Sequence, residues 1–185
     1  MYQQIVHSLR QYGNFSDDEI TNFTGRLINK PVSKNSFLLK EGEVCNSFYF
    51  LKKGSFRHFC TNEDGNELVV KLYTQDDWIL DHQSFTSQKP SINNIQAYED
   101  SEVFEMALCD IHELIGESQS YFSLGRILET SLYSPFQGNH TLSPEQKYRR
   151  LLDEHPVLVK TFPLKYIASY LGMTPETLSR VRRKI

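Results

Sequence analysis

The stretch after Pro175 places four polar side chains on one face of a predicted helix: Glu176, Ser179, Arg180 and Arg183. At 100° per residue this face lies opposite an apolar stripe of Leu178, Val181 and Ile185. Arginine can donate two hydrogen bonds to a guanine edge, glutamate can accept one from cytosine, and serine can reach bases or phosphates. The pattern therefore predicts a surface that reads base edges in the major groove of DNA.

Further polar side chains flank this face and complete the candidate nucleic-acid site: Thr174, Thr177, Arg182 and Lys184. Cations beside a reading helix typically contact phosphates, which position the protein without specifying sequence. The alternative interpretation is a pair of amphipathic surface helices whose basic face is only solvated. The turn residues that join the two helices favour the DNA-reading interpretation.

A second predicted helix precedes the reading helix at close spacing. Its apolar positions recur at i, i+3, i+4 and i+7, in Leu164, Ile167, Ala168 and Leu171. Gly172 follows where a helix end favours a left-handed residue, and Thr174 then offers an N-cap before Pro175. Two short helices around a tight turn form a helix-turn-helix, whose second helix enters the major groove.

Charge divides the 185-residue chain into an acidic body and a basic end. Residues 1–144 carry 11 Lys/Arg and 19 Asp/Glu, whereas residues 145–185 carry 9 and 4. This asymmetry is typical of a separate DNA-binding module. No apolar run approaches the roughly 18 residues that span a bilayer, and no signal peptide is evident. Three dispersed cysteines suit a reducing compartment, so we expect a cytoplasmic protein without a membrane partner.

Short β-rich segments separated by turn residues fill the region from Ser36 to Leu108. Their even spacing predicts an antiparallel sandwich or barrel. The expected strands are residues 37–39, 48–51, 56–60, 68–73, 92–98 and 102–107, and Asp64-Gly65 marks a hairpin. Two helices are expected before the sandwich, over residues 2–12 and from the capping box at Ser16 to Pro31. The inward residues of the second helix are Ile20, Phe23, Leu27 and Ile28.

A longer helix is expected over residues 119–134, between the sandwich and the basic end. Its apolar stripe consists of Leu124, Ile127, Leu128, Ser131 and Leu132. The stripe could pack on its own sandwich, but we favour a homodimer interface because helix-turn-helix proteins bind paired half-sites. The expected organisation is a sensor domain (1–118), a dimerisation helix and hinge (119–138), and a DNA-binding domain (139–185). The hinge is placed at Pro135 and Gly138-Asn139, before a helix capped by Ser143.

This order of elements resembles the Crp/Fnr family of bacterial transcription regulators over nearly the whole chain. The similarity is strongest at residues 168–180, where Glu176 and Arg180 fall on positions that read bases in the family. Pro175 stands where a well-known member has another arginine, so a different operator sequence is expected. The resemblance implies an α+β protein with a jelly-roll sensor and an all-α C-terminal domain. It also implies a homodimer on a palindromic operator, with RNA polymerase and an unidentified small-molecule effector as further partners.

The sensor departs from the family's nucleotide-binding cassette. In that cassette a glycine-glutamate pair binds the ribose, and a later arginine-serine pair neutralises the cyclic phosphate. Alignment puts Leu80-Asp81 and Ser91-Ile92 at these pairs, so the arginine is missing. A phosphate would lack a positive partner there. We therefore expect no tight binding of cAMP or cGMP, and place the effector pocket at Leu80, Asp81, His82, Lys89, Ser91 and Asn93.

Other chemistries find little support in the sequence. An iron–sulfur sensor would need about four cysteine ligands, and the six histidines show no metal-ligand spacing. A haem ligand at His58 or His82 would rest on a lone histidine. No catalytic motif or phosphate loop is present, so no catalytic or metal site is expected. Family members continue into a β wing after the recognition helix, whereas this sequence stops at Ile185. Either the protein is wingless, with weaker non-specific DNA affinity, or the wing is not part of this sequence. A ligand-binding or protein-interaction module without a regulatory role is the alternative.

Overall fold

The computed structural model describes residues 2–132 and 142–185, and the side chains of residues 130–132 lie outside this description. The predicted hinge at Pro135 and Gly138-Asn139 therefore falls outside the described residues. Two helices open the chain, α1 (Gln3–Tyr12) and α2 (Asp17–Gly25). The capping box at Ser16 is confirmed, because its hydroxyl accepts from Glu19 N while the Glu19 carboxylate accepts from Ser16 N.

Two four-stranded antiparallel sheets form the sandwich. The first has the order β1-β8-β3-β6, and the second has the order β2-β7-β4-β5. The strands are β1 (Ile28–Val32), β2 (Phe37–Leu39), β3 (Ser47–Lys53), β4 (Phe56–Thr61), β5 (Glu67–Tyr73), β6 (Trp78–Ile79), β7 (Asn94–Ala97) and β8 (Ser101–Ala107). A short helix, α3 (His82–Ser87), lies between β6 and β7. All six predicted strands are present, although β7 is shorter than expected.

The segment around Pro31 differs from the sequence prediction. Residues Ile28–Val32 form β1, which pairs with β8, so Ile28 is 62% exposed instead of facing the core. Strand β1 lies at the edge of its sheet, where a proline without an N–H can be accommodated. Leu27 is buried as predicted, although it lies after the end of α2.

The core of the N-terminal part is filled by aromatic and aliphatic side chains. Trp78 is surrounded by the rings of Phe23, Phe48 and Phe50, and its indole N–H donates to Ser8 of α1 at 2.9 Å. This hydrogen bond satisfies a buried donor. Apolar residues of α1 and α2 belong to the same hydrophobic core as those of the sandwich. At the β3–β4 turn, Gly54 has φ +103°, and a Cβ there would lie 2.1 Å from Ser101 Oγ.

The expected long helix over residues 119–134 is not continuous. Helix α4 (Leu108–Glu117) is followed by a 3₁₀ turn (Gln119–Leu124), and α5 (Gly125–Leu132) begins after it. Leu124 and Ile127 are buried in the core of their own sandwich, and Leu128 packs against it. The assignment of Leu124 and Ile127 to a dimer interface is therefore wrong. The side chains of Ser131 and Leu132 lie outside the described residues.

Four helices form the C-terminal part: α6 (Pro144–Glu154), α7 (Pro156–Thr161), α8 (Leu164–Tyr170) and α9 (Pro175–Arg182). The predicted cap of α6 by Ser143 is confirmed, whereas α7 was not predicted. Their apolar faces form a second core that includes Leu151, Ala168, Leu178 and Val181. Ile185 is 48% exposed, so it does not extend the buried stripe of α9 as expected.

The second core reaches across to the sandwich at strand β5. Val69 and Leu72 are buried in it, and Val69 N donates to Ser169 Oγ of α8 at 2.9 Å. Strand β5 is the edge of its sheet, so α8 covers an edge that would otherwise expose hydrogen-bonding groups.

Candidate nucleic-acid interface and effector pocket

The turn before α9 sets where its exposed face points. Gly172 adopts φ +68°, the left-handed conformation predicted for the end of α8. Thr174 then caps α9 by accepting from Thr177 N at 3.2 Å, and Pro175 takes the first helical position. Leu178 and Val181 are buried beside Ala168. The local sequence thus folds α8 and α9 into the expected helix-turn-helix.

The four predicted reading residues lie together on one open surface. Glu176, Ser179, Arg180 and Arg183 line it together with Leu164 and Pro175. Hydrogen bonds from its own backbone N–H and from Thr174, with the charge of Arg180, lower the pKa of Glu176. The surface therefore presents an ionised acceptor beside cationic donors, which is the chemistry that distinguishes base edges.

Four cations occupy the five positions from Arg180 to Lys184, and all four are exposed. In the described part of the chain, none of them has a carboxylate within the 4.0 Å of a salt bridge. Cations that are not paired internally remain available to neutralise phosphates. Arg182 and Lys184 are exposed on either side of Arg183 in the chain. Thr174 and Thr177 lie at the N-terminal end of α9, where their hydroxyls contact each other at 3.1 Å.

Helix α6 packs against the helix-turn-helix formed by α8 and α9. Lys147 Nζ donates to the carbonyl of Leu171 at 3.2 Å, which satisfies a carbonyl at the end of α8. Tyr148 and Leu151 of α6 are buried in the core shared with α9. The reading helix is therefore fixed on two sides, by α8 and by α6.

The segment that resembles a nucleotide-binding cassette is organised around Asp81. Its Oδ1 accepts from Ser84 N at 2.9 Å and caps α3. Its Oδ2 accepts from Ser91 Oγ at 3.0 Å and Asn93 Nδ2 at 2.6 Å, and lies 3.3 Å from His58 Nε2. Burial alone would raise the pKa of Asp81, but hydrogen bonds, that of His58 foremost, outweigh it and hold the pKa well below its ordinary value. Asp81 is therefore an ionised, internally bonded carboxylate.

Two members of this network were not assigned to the pocket from the sequence. His58 on β4 is 5% exposed, and its Nδ1 lies 3.4 Å from the hydroxyl of Tyr73 on β5. That hydroxyl also donates to the Leu80 carbonyl at 3.3 Å. The alternation of residues along β4 could have indicated that His58 points inward. Its contact with Asp81 could not be inferred, because the two residues lie 23 positions apart in the sequence.

The predicted pocket residues are only partly brought together. A cavity of about 130 Å³ is lined by Asp81, Lys89, Ser91 and Asn93, but not by Leu80 or His82. Leu80 is buried behind the cassette, and His82 begins α3. Lys89 is exposed and contributes its carbonyl, which accepts from Ser84 Oγ at 2.6 Å.

Metal ligands do not cluster in the part of the chain that the structure describes. No group of three or more His, Cys, Asp or Glu side chains there could hold a metal ion. The three cysteines, Cys45, Cys60 and Cys109, are free and lie in different environments. No described helix is both long and apolar enough to cross a membrane.

Comparison with known proteins places this architecture among characterised folds. Residues 29–118 match the cyclic nucleotide-binding domain family. The chain is 25% identical over 179 residues to an anaerobic regulatory protein from Haemophilus influenzae, covering 89% of this chain and 68% of that protein. FixK2 from Bradyrhizobium japonicum gives a TM-score of 0.68 at 16% identity, over 85% of this chain and 83% of that chain.

A further solved structure, assigned to the crp/fnr family of transcriptional regulators from Eubacterium rectale, gives a TM-score of 0.63 at 17% identity. It covers 92% of this chain and 83% of that chain. The structural similarities confirm the predicted fold, a cyclic nucleotide-binding-like sandwich followed by a helical C-terminal domain.

Proposed function

We infer that this chain is a transcription regulator of the Crp/Fnr family and that it binds DNA in a sequence-specific manner through helix α9. The observation that carries this function is the surface of Glu176, Ser179, Arg180 and Arg183, with the exposed cations Arg182 and Lys184 next to it in the chain. A basic helix with these side chains supplies both base reading and phosphate neutralisation. This function would be exercised in the cytoplasm, where the chromosome is accessible.

We further propose a homodimer that binds a palindromic operator, as a helix-turn-helix dimer requires. Since Leu124 and Ile127 are buried in their own chain, the interface must use other side chains near α5. Phe122 is 65% exposed in the 3₁₀ turn before α5, and Leu128 is only partly buried. RNA polymerase is a second proposed partner of the DNA-bound dimer. No residue of the described chain suggests an enzymatic role.

We propose that the sensor does not bind cAMP or cGMP tightly, although its domain family is named for such ligands. Ser91, at the position of the missing arginine, donates directly to Asp81, at the position of the ribose-binding glutamate. The two positions that would hold opposite parts of a nucleotide are therefore bonded to each other. A phosphate placed there would also face the ionised Asp81. Calorimetry that detected micromolar affinity for cAMP would contradict this proposal.

A genome-wide DNA selection with the purified protein tests the regulatory function directly. We expect it to recover a palindrome, and the affinity for that site to fall steeply as salt is raised. Weak binding without sequence preference would instead favour a ligand-binding or protein-interaction module, in which α8 and α9 pack against a partner.

Replacing Arg180 by Ala separates base reading from phosphate binding. We expect Arg180→Ala to cost about 1–3 kcal/mol at one base position of the selected site and to relax specificity there. Arg182→Ala is the matched control, because it removes the same charge outside the reading face. It should weaken binding to all sequences alike and reduce the salt dependence. Fluorescence anisotropy on the selected site and on single-base variants distinguishes these outcomes, and equal weakening by Arg180→Ala would assign Arg180 to a phosphate.

A further inference from the structure

The Asp81 carboxylate gathers donors from three separate segments of the sandwich. Ser84 belongs to α3, Ser91 and Asn93 precede β7, and His58 lies on β4. The carboxylate is 2% exposed, and its two oxygens have four hydrogen-bonding partners between 2.6 and 3.3 Å. A carboxylate offers about four acceptor sites, so this one is saturated by the protein itself.

These donors are the groups that an anionic ligand of the cassette would need. The N-terminal N–H of α3 and the Ser91 hydroxyl already point at a negative charge, but the charge belongs to the chain. A bound anion could use them only if Asp81 moved away, and this would leave a buried carboxylate without partners. The cyclic nucleotide implied by the domain family therefore does not fit the residues present.

The network also fixes the position of α3 relative to the rest of the sensor. Asp81 caps α3, and Ser84 of the same helix donates to the Lys89 carbonyl. Phe85 on α3 is buried, with its ring 6.3 Å from that of Phe48. Helix α3 contacts α5, the helix that precedes the DNA-binding part of the chain. A change in the position of α3 would therefore change its contacts with α5.

We propose that Asp81 is a built-in anion that takes the place of a ligand in the cassette and holds α3 against α5, so that DNA binding needs no cyclic nucleotide. This inference rests on the proposed DNA-binding function. Its direct consequence is that the full chain binds its operator after exhaustive dialysis, and that added cAMP or cGMP leaves the affinity unchanged.

Chemical rescue of Asp81→Gly tests the proposal. The substitution removes a side chain that acetate matches in size and charge, while glycine remains acceptable at a helix N-cap. At constant ionic strength, we expect Asp81→Gly to bind the selected DNA at least tenfold more weakly than the wild type. Millimolar acetate should restore most of the lost affinity in a saturable manner, and it should raise the melting temperature of this variant only.

Asp77→Gly is the matched control for a general effect of acetate. Asp77 is another carboxylate of the sandwich, half-buried after β5, and it accepts a hydrogen bond from Thr74 N at 2.7 Å. We expect Asp77→Gly to lose stability without recovery by acetate. Equal rescue of Asp77→Gly and Asp81→Gly would overturn the proposal.

Two further outcomes would also overturn it: wild-type DNA affinity in Asp81→Gly, or a gain of tenfold or more when the dialysed wild type receives cAMP or cGMP. If Asp81→Gly does not fold even with acetate, Asp81→Asn keeps the shape and removes the charge. Wild-type DNA affinity in Asp81→Asn would then exclude a required anion, and a tenfold loss would support it. If the wild type selects no DNA sequence, the proposed function fails, whereas the melting temperature with acetate still decides the role of Asp81.

Discussion

The carboxylate of Glu19 ties α2 to the segment that follows α4. It accepts from Ser118 Oγ at 2.6 Å and from Ser16 N at 2.7 Å. The Ser118 hydroxyl, followed by the Ser16 N–H, lowers the pKa of Glu19 from 4.5 to about 2. Because the pKa is lowered in the folded state, this stabilisation is complete above the ordinary pKa. It is lost as the pH falls from about 4.5 toward 2.

Ser118→Ala should therefore raise the pKa of Glu19 toward 4.5, because it removes the largest cause of the shift. An NMR titration of the Glu19 carboxyl carbon measures this directly, and acid unfolding should begin at higher pH than in the wild type. Ser123→Ala is the control, since that hydroxyl donates to the Ser120 carbonyl and does not contact Glu19. An unchanged pKa in Ser118→Ala would show that the Ser16 cap alone holds the carboxylate.

The surroundings of Asp81 could be predicted only in part from the sequence. Its place in the cassette could be predicted, because the neighbouring segment resembles a known motif. Ser91 and Asn93 were placed in the same pocket, but His58 on β4 was not, since it lies 23 positions earlier in the chain. The cap that Asp81 forms on α3 joins residues three positions apart, whereas contacts between strands depend on how the sheets pack.

At the scale of elements, the turns and caps were the most predictable features. The boxes at Ser16 and Ser143 and the left-handed Gly172 each depend on residues within one turn of helix. The central helix was less predictable, because an apolar stripe does not identify what covers it. Leu124 and Ile127 would have the same sequence spacing whether they packed against a second copy or against their own sandwich. The tertiary structure places them in the core of their own sandwich.

Strand β1 shows how position within a sheet can override local propensity. Proline usually ends an ordered segment, and Pro31 was expected to close α2. An edge strand nevertheless accepts it, because one side of the strand makes no ladder hydrogen bonds. The edge position of β1 beside β8 follows from the whole sheet order and cannot be read from residues 28–32 alone.

At the scale of the whole molecule, the acidic sensor and the basic reading unit share a packed junction. Tyr98, just after β7, lies with its ring 5.0 Å from Phe162 and 6.0 Å from Tyr166. The Arg57 guanidinium of β4 lies 5.0 Å from the ring of Tyr166. Together with Val69 and Leu72 of β5, these contacts connect the two hydrophobic cores. Residues that share a core tend to unfold together.

We therefore expect the wild-type chain to unfold in one calorimetric transition, and Tyr166→Ala to separate the unfolding of the two cores. The substitution removes a ring pair and a cation–π contact, worth together about 1–2.5 kcal/mol. Differential scanning calorimetry should then show two transitions, or a calorimetric enthalpy larger than the van't Hoff enthalpy. Tyr2→Ala is the control, because its ring packs 5.1 Å from Phe104 inside the sandwich core. It should lower the melting temperature without dividing the transition. A single transition in Tyr166→Ala, with equal enthalpies, would mean that Val69, Leu72 and the Ser169 hydrogen bond are enough to couple the sensor to the reading unit.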